Sequence, residues 1–126
     1  MSMLVQQALP RKDDDRINIK EFSGFLVYVG KNAVTNERIV TEHEHRDCLW
    51  LHAAGAKGSC VILCHSGKDN EFTDDSIQFA GALALKHSRS QARLVIFARL
   101  SDVIKMPRSS VGVFLSTKRV QIEING

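Results

Sequence analysis

The sequence has 126 residues and a mass of 14.1 kDa, with 44% apolar and 25% charged residues. These values are typical of one compact domain, and they exclude a mainly disordered chain and an enzyme built from two large lobes. The formal net charge is +3, but residues 86–126 carry eight basic and two acidic side chains, whereas residues 1–85 carry nine and twelve. This uneven distribution indicates an anionic partner such as nucleic acid, and a solvated basic face without a partner is the alternative.

The ends and the cysteines bear on domain boundaries and location. Residues 1–16 contain a mixed charge run without apolar periodicity, so we predict a flexible N-terminal tail there and a single domain over residues 17–126. No apolar run approaches the ~20 residues of a membrane helix, and the N-terminus lacks the pattern of a signal peptide. Cys48, Cys60 and Cys64 are odd in number and form no CxxC pair, which favours free thiols in a reducing compartment and thus a cytoplasmic location.

The first predicted elements are a strand and a short helix. Phe22–Val29 is rich in aromatic and β-branched residues and ends at Gly30, which predicts a buried strand. Asn32 is a candidate N-cap, and the apolar positions up to Val40 predict a helix of about two turns.

Two strands follow in the middle of the chain. Cys48–His52 predicts a strand whose leucines face one side and whose Trp50 and His52 face the other. After a turn of small residues, Cys60–Cys64 forms an apolar run that predicts a second strand.

The clearest helix spans Thr73–His87. Thr73 can cap its N-terminus, and the two aspartates that follow suit the positive end of the helix dipole. The apolar stripe at helical spacing consists of Ile77, Ala80, Gly81, Leu83 and Ala84.

Short strands complete the domain. They are predicted over Leu94–Ala98, Val111–Leu115 and Val120–Ile124, with a further short strand at Val103–Ile104. The fold class is therefore α+β, a mostly antiparallel sheet with one long helix and one short helix.

No motif of an enzyme or of a cofactor site is present. The sequence contains no Walker A loop, no GxGxxG, no GxSxG and no HExxH, so we predict neither catalysis nor a cofactor. A Cys/His nucleophile pair can be drawn from Cys48 or Cys60 with His52. A zinc site can be drawn from seven residues, His43, His45, Cys48, His52, Cys60, Cys64 and His65. Their spacing is wrong for known zinc fingers, and cysteines inside apolar runs are usually small core residues.

Two turns are candidates for phosphate binding. In Gly30-Lys31-Asn32 a strand ends in glycine before a basic residue and a helix cap, which can present N–H groups to a phosphate. A plain strand-to-helix turn is the alternative. His52, Lys57 and Ser59 can likewise surround a phosphate or a ribose, while Trp50 beside them reads equally well as a core residue.

Four short blocks follow one another along the chain at a recognisable spacing. They are Val27–Asn32 with Asn36; Asp47, Trp50, His52 and Gly58-Ser59; Ala80-Gly81, Leu83-Ala84 and Ser88; and Val103, Lys105, Gly112-Val113 and Lys118. Over Phe22–Ile124 the chain thereby resembles the NFACT-R domain. That domain is the presumed RNA-binding module of the NFACT proteins, which act in ribosome-associated quality control and include bacterial fibronectin-binding-protein homologues.

The chain departs from the family pattern at three positions. Cys60 replaces a histidine after Gly-Ser, Asp47 lies one residue further from Trp50 than usual, and Ser109 stands near the position of a usual glycine. The resemblance also implies an N-terminal domain and a coiled coil that help to hold transfer RNA and the large ribosomal subunit. This chain contains neither, so we expect nucleic-acid binding rather than peptide tailing. The alternative is that a partner protein supplies the missing parts.

The first hypothesis is a stand-alone module that binds structured RNA, either transfer RNA or ribosomal RNA, through its phosphates, with DNA as an alternative ligand. The predicted contact residues are Lys31, Asn32, His52, Lys57, Ser59, Arg89, Arg93, Lys105 and Arg108. The second hypothesis is a protein-interaction or scaffold module that keeps this fold without binding RNA. The replacement at Cys60 and the small net charge motivate it.

Overall fold

Most of the strands join one antiparallel sheet. The computed structural model describes residues 17–54, 59–67, 71–88, 93–105, 114–115 and 120–124. In chain order the elements are β1 (Asn18–Phe22), β2 (Phe25–Val29), α1 (Ala33–His43), β3 (Leu49–Ala53), β4 (Val61–His65), α2 (Asp74–Lys86), β5 (Leu94–Arg99), a 3₁₀ turn (Leu100–Asp102), β6 (Ile104–Lys105), β7 (Phe114–Leu115) and β8 (Val120–Glu123). The main sheet has the order β1-β2-β4-β3-β5-β8, and β6 and β7 form a separate ribbon. The predicted α+β class is confirmed.

The sheet begins with a hairpin where a single strand was predicted. β1 and β2 pair in antiparallel register from Asn18 opposite Val29 to Phe22 opposite Phe25. Ser23 and Gly24 connect them with φ values of 47° and 86°. Both residues thus have positive φ, as a tight two-residue hairpin turn requires. The strand predicted over Phe22–Val29 is therefore split by a Ser-Gly turn that its apolar run conceals.

Each face of the sheet carries one helix. Alternate residues of the central strands pack under α2 around Val27, Leu51 and Val61, all completely buried. The opposite face packs under α1 around Ile39, Trp50 and Ile62. The predicted division of Cys48–His52 into a leucine side and a Trp50 side is confirmed, because two helices on opposite faces make both sides of this strand part of a core.

The two helices begin as the sequence predicts, although α1 is longer than expected. Asn32 caps α1 and Thr73 caps α2, each side chain accepting a hydrogen bond from the third residue after it. α1 runs to His43, beyond the predicted end at Val40, and the His43 imidazole hydrogen-bonds through Nδ1 to the Ile39 carbonyl at 2.7 Å. In α2, a Cβ at Gly81 would collide with Ile124, so the predicted small-residue stripe allows close packing on the sheet.

The cysteines differ from the prediction. Cys48 and Cys64 form a disulfide with Cα atoms 4.7 Å apart, and within the described residues Cys60 is the free thiol. The expectation of free thiols is wrong for this pair, because the pairing of Leu49 with Leu63 brings the adjacent Cys48 and Cys64 close together. The cysteine count therefore no longer supports a reducing compartment.

The strands of the main sheet share two ends. At the near end, β2, β3 and β8 finish and β1, β4 and β5 begin, and the far end is the opposite one. α1 starts at the near end and α2 finishes there. The predicted tail at residues 1–16 and most of the strand predicted over Val111–Leu115 lie outside the described residues.

Candidate nucleic-acid interface

The Gly30-Lys31-Asn32 turn is held by its own hydrogen bonds. The amides of Lys31 and Asn32 donate to Thr35 Oγ1 at 2.7 and 2.9 Å, and the Thr35 amide donates to Asn32 Oδ1 at 2.9 Å. The Gly30 amide donates to the Cys60 carbonyl at 3.0 Å. These amides stabilise the start of α1, as a plain strand-to-helix turn requires. The exposed Lys31 side chain is the group that this turn offers to an anion.

Asn36 joins this turn to the neighbouring strand from inside the protein. Its side chain is 6% exposed, and its Oδ1 accepts a hydrogen bond from the Cys60 amide at 3.1 Å. A Cβ at Gly30 would collide with the same oxygen. Gly30 and Asn36 of the first sequence block therefore hold β2, α1 and β4 together.

The second predicted cluster is largely buried. Ser59 is 4% exposed and Trp50 is 3% exposed. Trp50 is therefore a core residue rather than part of a binding surface. His52 is half-buried, its ring stacks on Trp50 with centroids 5.9 Å apart, and its Nδ1 hydrogen-bonds to the Ala53 carbonyl at 2.8 Å. Of this group, His52 is the described side chain that solvent reaches.

Four exposed basic side chains gather where α2 ends. Lys86 ends this helix and His87 caps it, with the His87 amide bonded to the Leu83 and Leu85 carbonyls. Lys20 lies on the sheet face that carries α2, since it pairs with the core residue Val27. Lys31 follows the strand next to β1 at the near end. We call Lys20, Lys31, Lys86 and His87 the lysine patch.

His87 lies in the positive field of the three lysines. Partial burial lowers the pKa of His87, and the positive charges of Lys86, Lys20 and Lys31 lower it further, in that order. The topology gives the same placement, since β1 begins, β2 ends and α2 ends at the near end.

Sequence reasoning identified only Lys31 of the patch as a contact residue. In the sequence, Lys86 and His87 suit the negative end of the helix dipole. This local explanation gives no indication that Lys20 and Lys31 lie nearby. Lys20 belongs to the strand that the sequence did not reveal. The alternation in Asn18–Phe22 was the available signal, since it places Lys20 on the same face as Phe22.

Of the remaining predicted residues, the structure describes Arg93 and the backbone of Lys105. Arg93 precedes β5 at the near end, on the other side of the central strands, and its Nε donates to the Ile124 carbonyl at 3.0 Å. The chain reaches Lys105, in the ribbon strand β6, from the far end of β5, through the 3₁₀ turn. The side chain of Lys105 lies outside the described residues, as do Lys57, Arg89 and Arg108.

The far end has a different chemical character. Asp74 and Asp75 begin α2 there, and Asp47 Oδ1 accepts a hydrogen bond from Arg99 Nη1 at 2.8 Å. A shallow groove of about 370 Å³ lies between α2 and β1 and is lined by Phe22, Asp75, Gln78 and Phe79. Because its one charged side chain is a carboxylate, this groove does not suit a phosphate.

The candidates for chemistry other than binding find little geometric support. In the parts of the chain that the structure describes, no three His, Cys, Asp or Glu side chains lie together as metal ligands. Burial raises the pKa of Cys60 to about 11, although a hydrogen bond from Trp50 Nε1 opposes that change. A thiol of this kind stays protonated and unreactive at neutral pH. No described helix is long and apolar enough to cross a membrane.

These features define a class: an α+β domain with exposed basic side chains at one end of its sheet. The chain belongs to the NFACT protein RNA binding domain family, whose model matches residues 17–122. The resemblance seen in the four sequence blocks is thus confirmed. The family is defined by RNA binding rather than by a catalysed reaction.

The chain is similar to part of two longer proteins. Over 80 residues the chain is 28% identical to the archaeal Rqc2 homolog aRqcH of Methanocaldococcus jannaschii. The aligned segment covers 64% of this chain and 12% of that protein. Its fold is similar to that of the C-terminal part of the fibronectin/fibrinogen-binding protein of Streptococcus suis, with a TM-score of 0.74 and 21% identity. That match covers 92% of this chain and 46% of the other. The chain therefore spans less than half the length of either relative.

Proposed function

We propose that this domain binds structured RNA, transfer RNA or ribosomal RNA, through the phosphates, as part of ribosome-associated quality control or translation in the cytoplasm. The observation that carries the proposal is the lysine patch, in a chain of the NFACT RNA-binding family. Three lysines from separate elements, all exposed, form a compact cationic area that matches a phosphate backbone rather than a single base. The similarity to an Rqc2 homolog supports the cellular role.

The position of Cys60 favours RNA binding over the scaffold alternative. Cys60 is 1% exposed, and its Sγ accepts a hydrogen bond from Trp50 Nε1 at 3.3 Å. The replacement of a family histidine at this position therefore alters the core rather than a surface contact. The main reason for expecting a domain that has lost RNA binding is weakened.

The test is a titration of the isotope-labelled protein with a transfer RNA transcript, followed by NMR. At about 50 mM salt we expect shifts of the lysine-patch amides, and at about 200 mM salt much weaker binding, because each phosphate contact releases counterions. The absence of shifts at low salt would overturn the proposal. Recovery of one stoichiometric protein partner that persists after nuclease treatment would then support the scaffold function.

Charge reversal locates the contact. Lys86→Glu should weaken transfer RNA binding by about fivefold to tenfold, which corresponds to about 1 kcal/mol for one phosphate contact. Arg99→Glu is the matched control, since it changes the net charge equally at the far end, where Arg99 pairs with Asp47. Equal losses in both variants would mean that net charge, rather than the lysine patch, determines affinity.

A further inference from the structure

His87 differs chemically from the other members of the lysine patch. A lysine keeps its charge at every physiological pH, whereas a histidine titrates close to neutrality. His87 is exposed and stands immediately after Lys86 at the end of α2. The charged groups that act on it are Lys86 on its own helix, Lys20 on β1 and Lys31 in the turn after β2. All of them are cations.

The charge of His87 therefore depends on what occupies the patch. In the free protein the three lysines and partial burial disfavour the imidazolium form, so the ring is mostly neutral at neutral pH. A phosphate held between the lysines reverses the sign of the local field. It neutralises their repulsion and adds an acceptor for an N–H of the protonated ring.

We propose that His87 is a phosphate ligand of this surface that takes up one proton from solvent when RNA binds. The inference rests on the proposed RNA-binding function and adds to it a residue and a regulation by pH. The proton adds to a ring nitrogen, so both ring nitrogens become donors and one bonds to the phosphate. By linkage, RNA that binds the protonated form more tightly binds more tightly at lower pH.

The experiment measures the Kd of a transfer RNA transcript at constant low ionic strength between about pH 5.5 and pH 8, the range in which histidines titrate. If binding raises the pKa of His87 by about one unit, Kd should increase about tenfold across this range. The ring signals of His87, followed by NMR, should show a titration midpoint at higher pH in the complex than in the free protein.

Three variants separate this proton uptake from that of other histidines. His87→Gln should bind with an affinity that hardly changes with pH, and His87→Lys should bind tightly without pH dependence. His45→Gln is the matched control, because the His45 side chain is 92% exposed and contacts Glu44 after the end of α1. It should behave as the wild-type protein does.

The outcomes distinguish the inference from the function on which it rests. A His87→Gln variant that keeps the wild-type pH dependence, or a midpoint unchanged by RNA, overturns the role of His87 and leaves RNA binding intact. No binding at any pH in low salt overturns both. Circular dichroism of each variant verifies that the fold is retained.

Discussion

At Gly30 the packing of the near end leaves no room for a side chain. A methyl group there would displace Asn36, whose buried Oδ1 accepts the Cys60 amide at 3.1 Å. Gly30→Ala should therefore lower the free energy of unfolding by about 1–3 kcal/mol, the cost of leaving a buried donor without its partner. Urea denaturation measures the change. Gly67→Ala is the control, because nothing lies within 4 Å of a Cβ at that position. An equal loss of stability in both variants would contradict a structural role for the contact between Gly30 and Asn36.

The effect of the nearby lysines on the pKa of His87 should be detectable in the free protein. Replacement of Lys20 by Gln removes one of the charges that lower the pKa of His87, so the NMR titration midpoint of the ring should move upwards. Arg99→Gln, at the far end, should leave it unchanged. If neither variant moves the midpoint, Lys20 lies too far from His87 to act on its pKa.

The same pKa has a consequence for stability. Because the folded state disfavours the protonated ring, the unfolded chain binds more protons between the lowered pKa and the ordinary value of about 6.5. The free energy of unfolding therefore gains a contribution that rises with pH in that interval and is constant above it. His87→Gln should reduce the dependence of stability on pH there, as measured by urea denaturation at several pH values.

At the scale of elements, the Cys48–Cys64 disulfide joins the residue before β3 to β4. It closes a loop with a sequence separation of 16 residues, for which the loss of chain entropy in the unfolded state is worth about 3 kcal/mol. Wild-type protein treated with a phosphine reductant should unfold at a clearly lower urea concentration than the oxidised protein. The Cys48→Ala/Cys64→Ala variant should be insensitive to the reductant, and a wild-type transition that the reductant leaves unchanged would contradict a stabilising bond.

The elements that the sequence predicts best are those whose signals are local. The caps at Asn32 and Thr73 and the small-residue stripe of α2 depend on neighbours within one or two turns, and all are as predicted. The sequence does not predict the hairpin at Ser23-Gly24 or the Cys48–Cys64 disulfide. An apolar run gives no indication of where a chain reverses, and a disulfide depends on the register between strands, which a single sequence does not reveal.

At the scale of the whole molecule, the residues of the candidate site are also predictable only where their sequence signal is local. Lys31 is recognisable from its place in a motif. The proximity of Lys20, Lys86 and His87 depends on α2 ending beside the β1–β2 hairpin, and this is a property of the fold. The excess of basic residues in 86–126 suggests one continuous surface. The topology instead separates Lys86 from Lys105, since α2 brings Lys86 to the near end whereas the chain reaches Lys105 from the far end of β5.

This distribution leads to a test of how many surfaces the RNA contacts. If a single surface at the near end binds, Lys20→Glu/Lys86→Glu should reduce the slope of log K against log salt by about 1.5, which corresponds to two phosphates. Lys105→Glu/Arg108→Glu should then change the slope little. A loss of slope in the second variant as well, additive in the quadruple variant, would show that the RNA also contacts the β6 region. Such an RNA would have to extend from one end of the sheet to the other, as a folded RNA can and a short single strand bound at one patch does not.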